Sequence, residues 1–139
     1  MVADLFFVDG KKCAIWVHRP TSLTFVRPAV AAAELREFDA LFRYEFRTAM
    51  ASMALSESLL DRFDVYGEER YAPTNYRGIV GSMLDYRNMF DVMVSADGGL
   101  EQADIRGINA QLNESPMSVL GMESAVRVVR KMVLPPTQH

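Results

Sequence analysis

The sequence predicts an α+β domain: a small N-terminal antiparallel three-stranded sheet, a meander, covered by about four to five α-helices. Three observations carry that expectation. Strand-like runs fill residues 4–27, and from Glu34 onward the apolar residues recur at helical spacing. An Asp-Gly pair at 9–10 joins two aromatic and β-branched runs, a strong hairpin signal. The chain has 139 residues, 50% of them apolar, so one domain can form a core without a metal or a disulfide.

Leu5-Phe-Phe-Val8 is the first strand. It is apolar at every position, which predicts cover on both faces. Lys12 to His18 is the second strand, Arg19-Pro20-Thr21 punctuates, and Ser22 to Val26 is the third, ending before Pro28. Leu35, Phe38, Phe42, Phe46, Ala49, Met50 and Met53 then form one stripe of a single amphipathic helix. Ser56 caps a second short helix carrying Leu59, Leu60 and Phe63, and Glu69 to Pro73 adds an extended piece. Thr74 or Asn75 caps a central helix whose broad apolar surface includes Ile79, Met83, Phe90 and Val94, with Arg87 and Asp91 pairing on its exposed side. Ala96-Asp-Gly-Gly99 ends it. A further helix covers 101–112, closed by a left-handed Asn113 and stopped by Pro116. Residues 122–133 read as a last helix, with a strand as the alternative because valine is dense there. Residues 134–139 are a frayed tail, so 1–139 reads as a single compact domain.

Composition narrows the chemistry. The single Cys13 permits no intrachain disulfide and suits a reducing cytoplasm. Met1 to Asp9 lacks the basic start of a signal peptide. No run approaches the ~18 apolar residues of a membrane span, so a soluble cytoplasmic protein is expected. Two histidines and one cysteine supply no ligand set for a metal, and no cofactor motif is present. A net charge of −3 argues against nucleic acid as the partner, although Arg127, Arg130 and Lys131 form a small basic stripe. Charge is segregated: residues 34–70 hold nine acids and five bases, whereas 4–27 carry four bases and two acids. That pattern suits either a solvated helical face or an acidic docking face.

Four groups of residues are candidates for function. Cys13 and His18 fall on opposite faces of one strand, so they form no dyad. Cys13 reads as a buried core thiol and His18 as a surface or turn histidine. The segment Thr74 to Ser82 places Asn75, Arg77, Ser82 and first-turn amides at a helix start, which suits a capped helix packed closely through its glycines or, as the alternative, a site for an anion or nucleotide. Its glycine spacing is neither a Walker A loop nor a dinucleotide fingerprint. A hydrolase or transferase would have to bring His18, Ser82 and Asp85 together. Asn109 and Asn113 either punctuate a helix end or present amides to a partner.

The segments Leu5-Phe-Phe-Val-Asp9, Lys11-Lys-Cys13, Gly81-Ser-Met-Leu-Asp85, Gly98-Gly-Leu100 and Ile108-Asn-Ala-Gln-Leu-Asn-Glu-Ser-Pro-Met117 together resemble a family of small uncharacterised bacterial and phage proteins. Family members often carry arginines where this chain has Gly10-Lys11-Lys12. The resemblance implies one compact domain and no particular activity. The expectation is therefore a non-enzymatic interaction or regulatory protein of a bacterium, phage or mobile element, such as an accessory or counter-defence inhibitor. Its expected partner is another protein or, as a homodimer, a second copy of itself.

Overall fold

The computed structural model describes residues 2–18, 21–52, 77–117 and 123–133. Asp9 and Gly10 both take positive φ, 51° and 73°. That is the turn whose twist matches the strands it joins. It links β1 (Val2–Val8) to β2 (Lys11–Val17) in register from Val8↔Lys11 to Val2↔Val17. β3 (Thr24–Arg27) pairs with the other side of β2, from Ala14↔Arg27 to Val17↔Thr24. The sheet is therefore an antiparallel meander of order β1-β2-β3.

The chain then runs through α1 (Ala32–Arg36), α2 (Phe38–Ser52), α3 (Arg77–Ala96), a 3-10 turn over Leu100–Gln102 and α4 (Ile105–Glu114). A two-residue bridge, β4 (Pro116–Met117) with β5 (Glu123–Ser124), leads into α5 (Ala125–Val133). The expected sheet and helical cover are present. The single helix expected from Glu34 is two, because Glu37 leaves helical geometry (φ −119°, ψ 50°) while both pieces keep the same apolar stripe. The last segment is helical from Ala125. Ser56 with its short helix, Glu69–Pro73, the Thr74 or Asn75 cap and the 134–139 tail lie outside the described residues.

Strand alternation sorts the core into two layers. On one face, Val2, Phe6, Cys13, Ile15, Val17 and Val26 pack against Met83, Tyr86, Phe90 and Val94 of α3 and Ile108 and Leu112 of α4. On the other, Ala14, Trp16 and Phe25 meet Leu41, Phe42, Phe46 and Met50 of α2 and Val126 and Val129 of α5. Trp16 stacks on Phe25 (5.3 Å between centroids) and on Phe38 (5.1 Å). The strand with both faces covered is β2 and not, as its composition suggested, β1. Ala14, Ile15, Trp16 and Val17 have no exposed surface, whereas Leu5 and Phe7 of β1 face outward. Position in the sheet decides this: β1 is an edge.

The opposite edge, on β3, is sealed by side chains. The Thr24 N–H donates to Asn113 Oδ1 (2.8 Å), and Asn113 Nδ2 donates to the Thr24 carbonyl (2.7 Å). One turn away, the Val26 N–H donates to Asn109 Oδ1 (2.9 Å) and Asn109 Nδ2 to the Val26 carbonyl (3.1 Å). The geometry matches because four helical residues rise about 6 Å and two strand residues about 6.7 Å. Two carboxamides at i and i+4 thus copy the hydrogen bonds of a missing fourth strand. Asn113 consequently stays inside α4, and Ser115 ends the helix (φ −74°, ψ 134°), in place of the left-handed Asn113 cap expected. At its other end Asp104 caps α4 by accepting from the Gly107 N–H (3.1 Å).

This packing can be tested at two positions. Asn109→Leu leaves the N–H and carbonyl of Val26 unpaired within the core and should cost about 2–6 kcal/mol in urea unfolding, at about 1–3 per orphaned group. A loss below about 0.5 kcal/mol, the scatter of surface substitutions, would contradict that role. Tyr86 Oη donates to the Ser22 carbonyl (3.0 Å). Burial, aided by Asp85, pushes its phenol above the ordinary range. A phenol raised in the folded state contributes fully below the unfolded value near 10 and loses that contribution as pH rises beyond it. Wild type should therefore exceed Tyr86→Phe by about 1 kcal/mol at neutral pH. The gap should narrow in urea titrations run above about pH 10; a constant gap would overturn this reading.

Candidate interaction site

Among the described residues, the side chains singled out for chemistry do not converge on one site. Asn75 lies outside the described residues, and of Arg77 only the backbone, opening α3, is described. Ser82 is buried on α3, and Asp85 is exposed. His18, expected at the surface, is 3% exposed. The chain folds back so that the His18 N–H donates to the Leu23 carbonyl (2.8 Å), and Nδ1 hydrogen-bonds Thr21 Oγ1 (2.8 Å). Among the described residues, no hydrogen bond joins His18 to Ser82 or Asp85, so no triad forms there. Cys13 is fully buried on the face opposite Ala14 and Trp16, and burial pushes its thiol up, away from nucleophilic thiolate character. Asn109 and Asn113, considered as partner-facing amides, point inward and hold β3.

Part of the segregated charge meets within the molecule. Arg27 of β3 donates to Glu34 of α1 (2.8 Å) and Glu45 of α2 (2.9 Å). Glu34 also accepts from the Ala31 N–H (2.9 Å), which fixes the start of α1. Part of the acidic segment therefore meets the basic end of the sheet. Arg87, expected to pair with Asp91, reaches β1 instead. Its guanidinium lies 5.1 Å over the Phe6 ring and 3.8 Å from Asp4.

A cleft of about 480 Å³ opens where three turns meet. Asp9, Lys11, Pro28, Ala29, Gly99 and Leu100 line it. Asp9 Oδ2 accepts from the Leu100 N–H (2.8 Å), and a Cβ on Gly99 (φ 115°) would sit 3.3 Å from that oxygen. The Asp9 and Gly98-Gly99 segments picked out in the sequence are thus a lock between the hairpin and the end of α3. The carboxylate is already used in that lock.

Of the large apolar side chains exposed among the described residues (Leu5, Phe7, Tyr44, Leu84 and Val92), two lie on the outer edge strand, β1. Val8 and Lys11 flank a two-residue turn and form a hydrogen-bonded pair, so alternation turns the backbone groups of Ala3, Leu5 and Phe7 away from β2. Among the described residues no strand pairs with that edge. Phe7 is 67% and Leu5 39% exposed, and Lys12 Nζ lies 6.0 Å over the Phe7 ring. Beside them is an open hollow of about 470 Å³, lined by Ala3, Asp4, Leu5, Leu35 and Phe38. Natural edge strands are usually covered, charged or interrupted. Here the device is slight: Asp4 Oδ1 accepts from the Leu5 N–H (2.8 Å). The aromatic run at 5–8 was the signal for this surface, but the same run read equally as a buried strand.

No helix among the described residues is long and apolar enough to cross a membrane. Comparison with curated proteins and with solved structures gives no match. The model of one family, described as a domain of unknown function (DUF6933), matches residues 2–127, which takes in the whole sheet, all of α4 and the start of α5. The chain belongs to the DUF6933 family.

Proposed function

We propose that this protein is a non-enzymatic interaction or regulatory protein whose contact surface is the open edge of β1. One observation carries the reading: a seven-residue edge strand displays Phe7 and Leu5 along an edge that no strand among the described residues pairs, while the other edge of the same sheet is closed. Strand addition uses such an edge, with main-chain hydrogen bonds supplying affinity and side-chain hollows supplying specificity. The core chemistry supports the same reading, since the buried thiol, imidazole and carboxamides described above serve packing.

Phe7→Asp tests it. Phe7 is mostly exposed, so the variant should fold with a melting temperature close to wild type. Wild-type protein should retain a stoichiometric macromolecular partner, a second copy included, and the variant should lose it. Amide exchange at Ala3 and Phe7 should slow when the partner is bound. Equal retention by both proteins, with unprotected β1 amides, would overturn the proposal.

A further inference from the structure

We infer that the occupant of the β1 edge is a second copy of this chain, paired through β1 about a two-fold axis at Leu5 into one continuous six-stranded sheet. This rests on the edge being the contact surface and adds what covers it. A C2 interface requires a surface complementary to itself, and β1 has that property in shape and in charge.

Antiparallel pairing centred on Leu5 sets Leu5 against Leu5, Ala3 against Phe7 and Asp4 against Phe6 of the second copy. The three outward-facing residues, Ala3, Leu5 and Phe7, are then the ones that exchange main-chain hydrogen bonds. On the face shared with α1 and α2, the largest exposed side chain of the strand meets its smallest. Phe7 of each copy falls against the hollow that Ala3, Leu5, Leu35 and Phe38 line in the other. The residue that projects and the cavity that receives it lie on one strand at equal distances from the axis.

The opposite face adds charge. Arg87 covers the Phe6 ring and lies 3.8 Å from Asp4 within one copy. In this register Asp4 faces Phe6 of the second copy, and hence the Arg87 that covers it. Each carboxylate gains a second guanidinium, and the Leu5 N–H, held by Asp4 in the single chain, passes to the Leu5 carbonyl of the second copy. Neighbouring registers fit worse. A shift of the centre to Asp4 places two carboxylates opposite each other, which is destabilising. A shift to Phe6 brings Leu5 against Phe7 and leaves the Ala3 hollow facing Asp9.

The test is the mass of the full chain in solution by light scattering and sedimentation, with charge swaps. Wild type should be a dimer that dissociates on dilution, and Phe7→Asp a folded monomer. Asp4→Arg alone turns the cross-contact with Arg87 into a repulsion between two guanidiniums. Arg87→Glu alone turns it into a repulsion between two carboxylates. Each single variant should therefore be monomeric. Mixed in equal amounts they should form a heterodimer, because both cross-contacts are then complementary. A merely structural role for the Asp4–Arg87 pair would not be rescued by mixing. Monomeric wild type overturns the inference; if Phe7→Asp still loses a different bound macromolecule, the contact surface stands with a different occupant. Dimeric wild type with dimeric Phe7→Asp, or a mixture that stays monomeric, also overturns it.

Discussion

Thr24 and Val26 each turn one N–H and one carbonyl away from β2, into a region where α4 excludes water. An unpaired buried amide costs roughly 1–3 kcal/mol, so four such groups cannot be left there in a marginally stable domain. Asn109 and Asn113 remove the problem from a helix rather than from a strand. Once their carboxamides are engaged, the position and rotation of α4 on the sheet are fixed. Ile108 and Leu112 then fall onto the Val26 side of the core. The end of α4 delivers the chain to the β4–β5 bridge and so to α5 on the other face.

A sheet of only three strands has as many edges as a larger one and less interior to protect. Here the two edges are treated in opposite ways. β3 is sealed from within, and the sealing is directional, because each asparagine both accepts and donates. β1 carries Leu5 and Phe7 exposed and has one carboxylate to shield one amide. Strand β2 lies between, covered on both faces, with the aromatic stack around Trp16 on one side and the α3 contacts on the other. The contrast makes β1 the surface on which the proposed contact with other molecules rests.

The buried polar groups support the same division of labour. His18, Thr21, Ser22 and Tyr86 close the β2–β3 connection, and Arg27 ties α1 and α2 to β3. These groups have hydrogen bonds within the fold that account for their presence. Among the described residues, the Tyr86 phenol meets a backbone carbonyl, the His18 imidazole a threonine hydroxyl, and the Glu34 and Glu45 carboxylates one guanidinium.

The sequence by itself determined whatever depends on near neighbours. The Asp9-Gly10 turn needs two residues able to take positive φ. The end of α3 needs Gly98 and Gly99. The parity of Cys13 and Trp16 needs only the two-residue period of a strand, and each was legible from a few residues. The break at Glu37 was hidden because both helices carry one continuous apolar stripe. Only the tertiary structure decided which strand is central, that His18 is buried, and that Asn109 and Asn113 serve β3. The asparagines bond to residues 83 and 89 positions away. Their side chains carry no mark that separates a helix end from a substitute strand. The open edge is decided in the same way, since an exposed and a buried Phe-Phe-Val run are the same letters until the rest of the chain has chosen which side to cover.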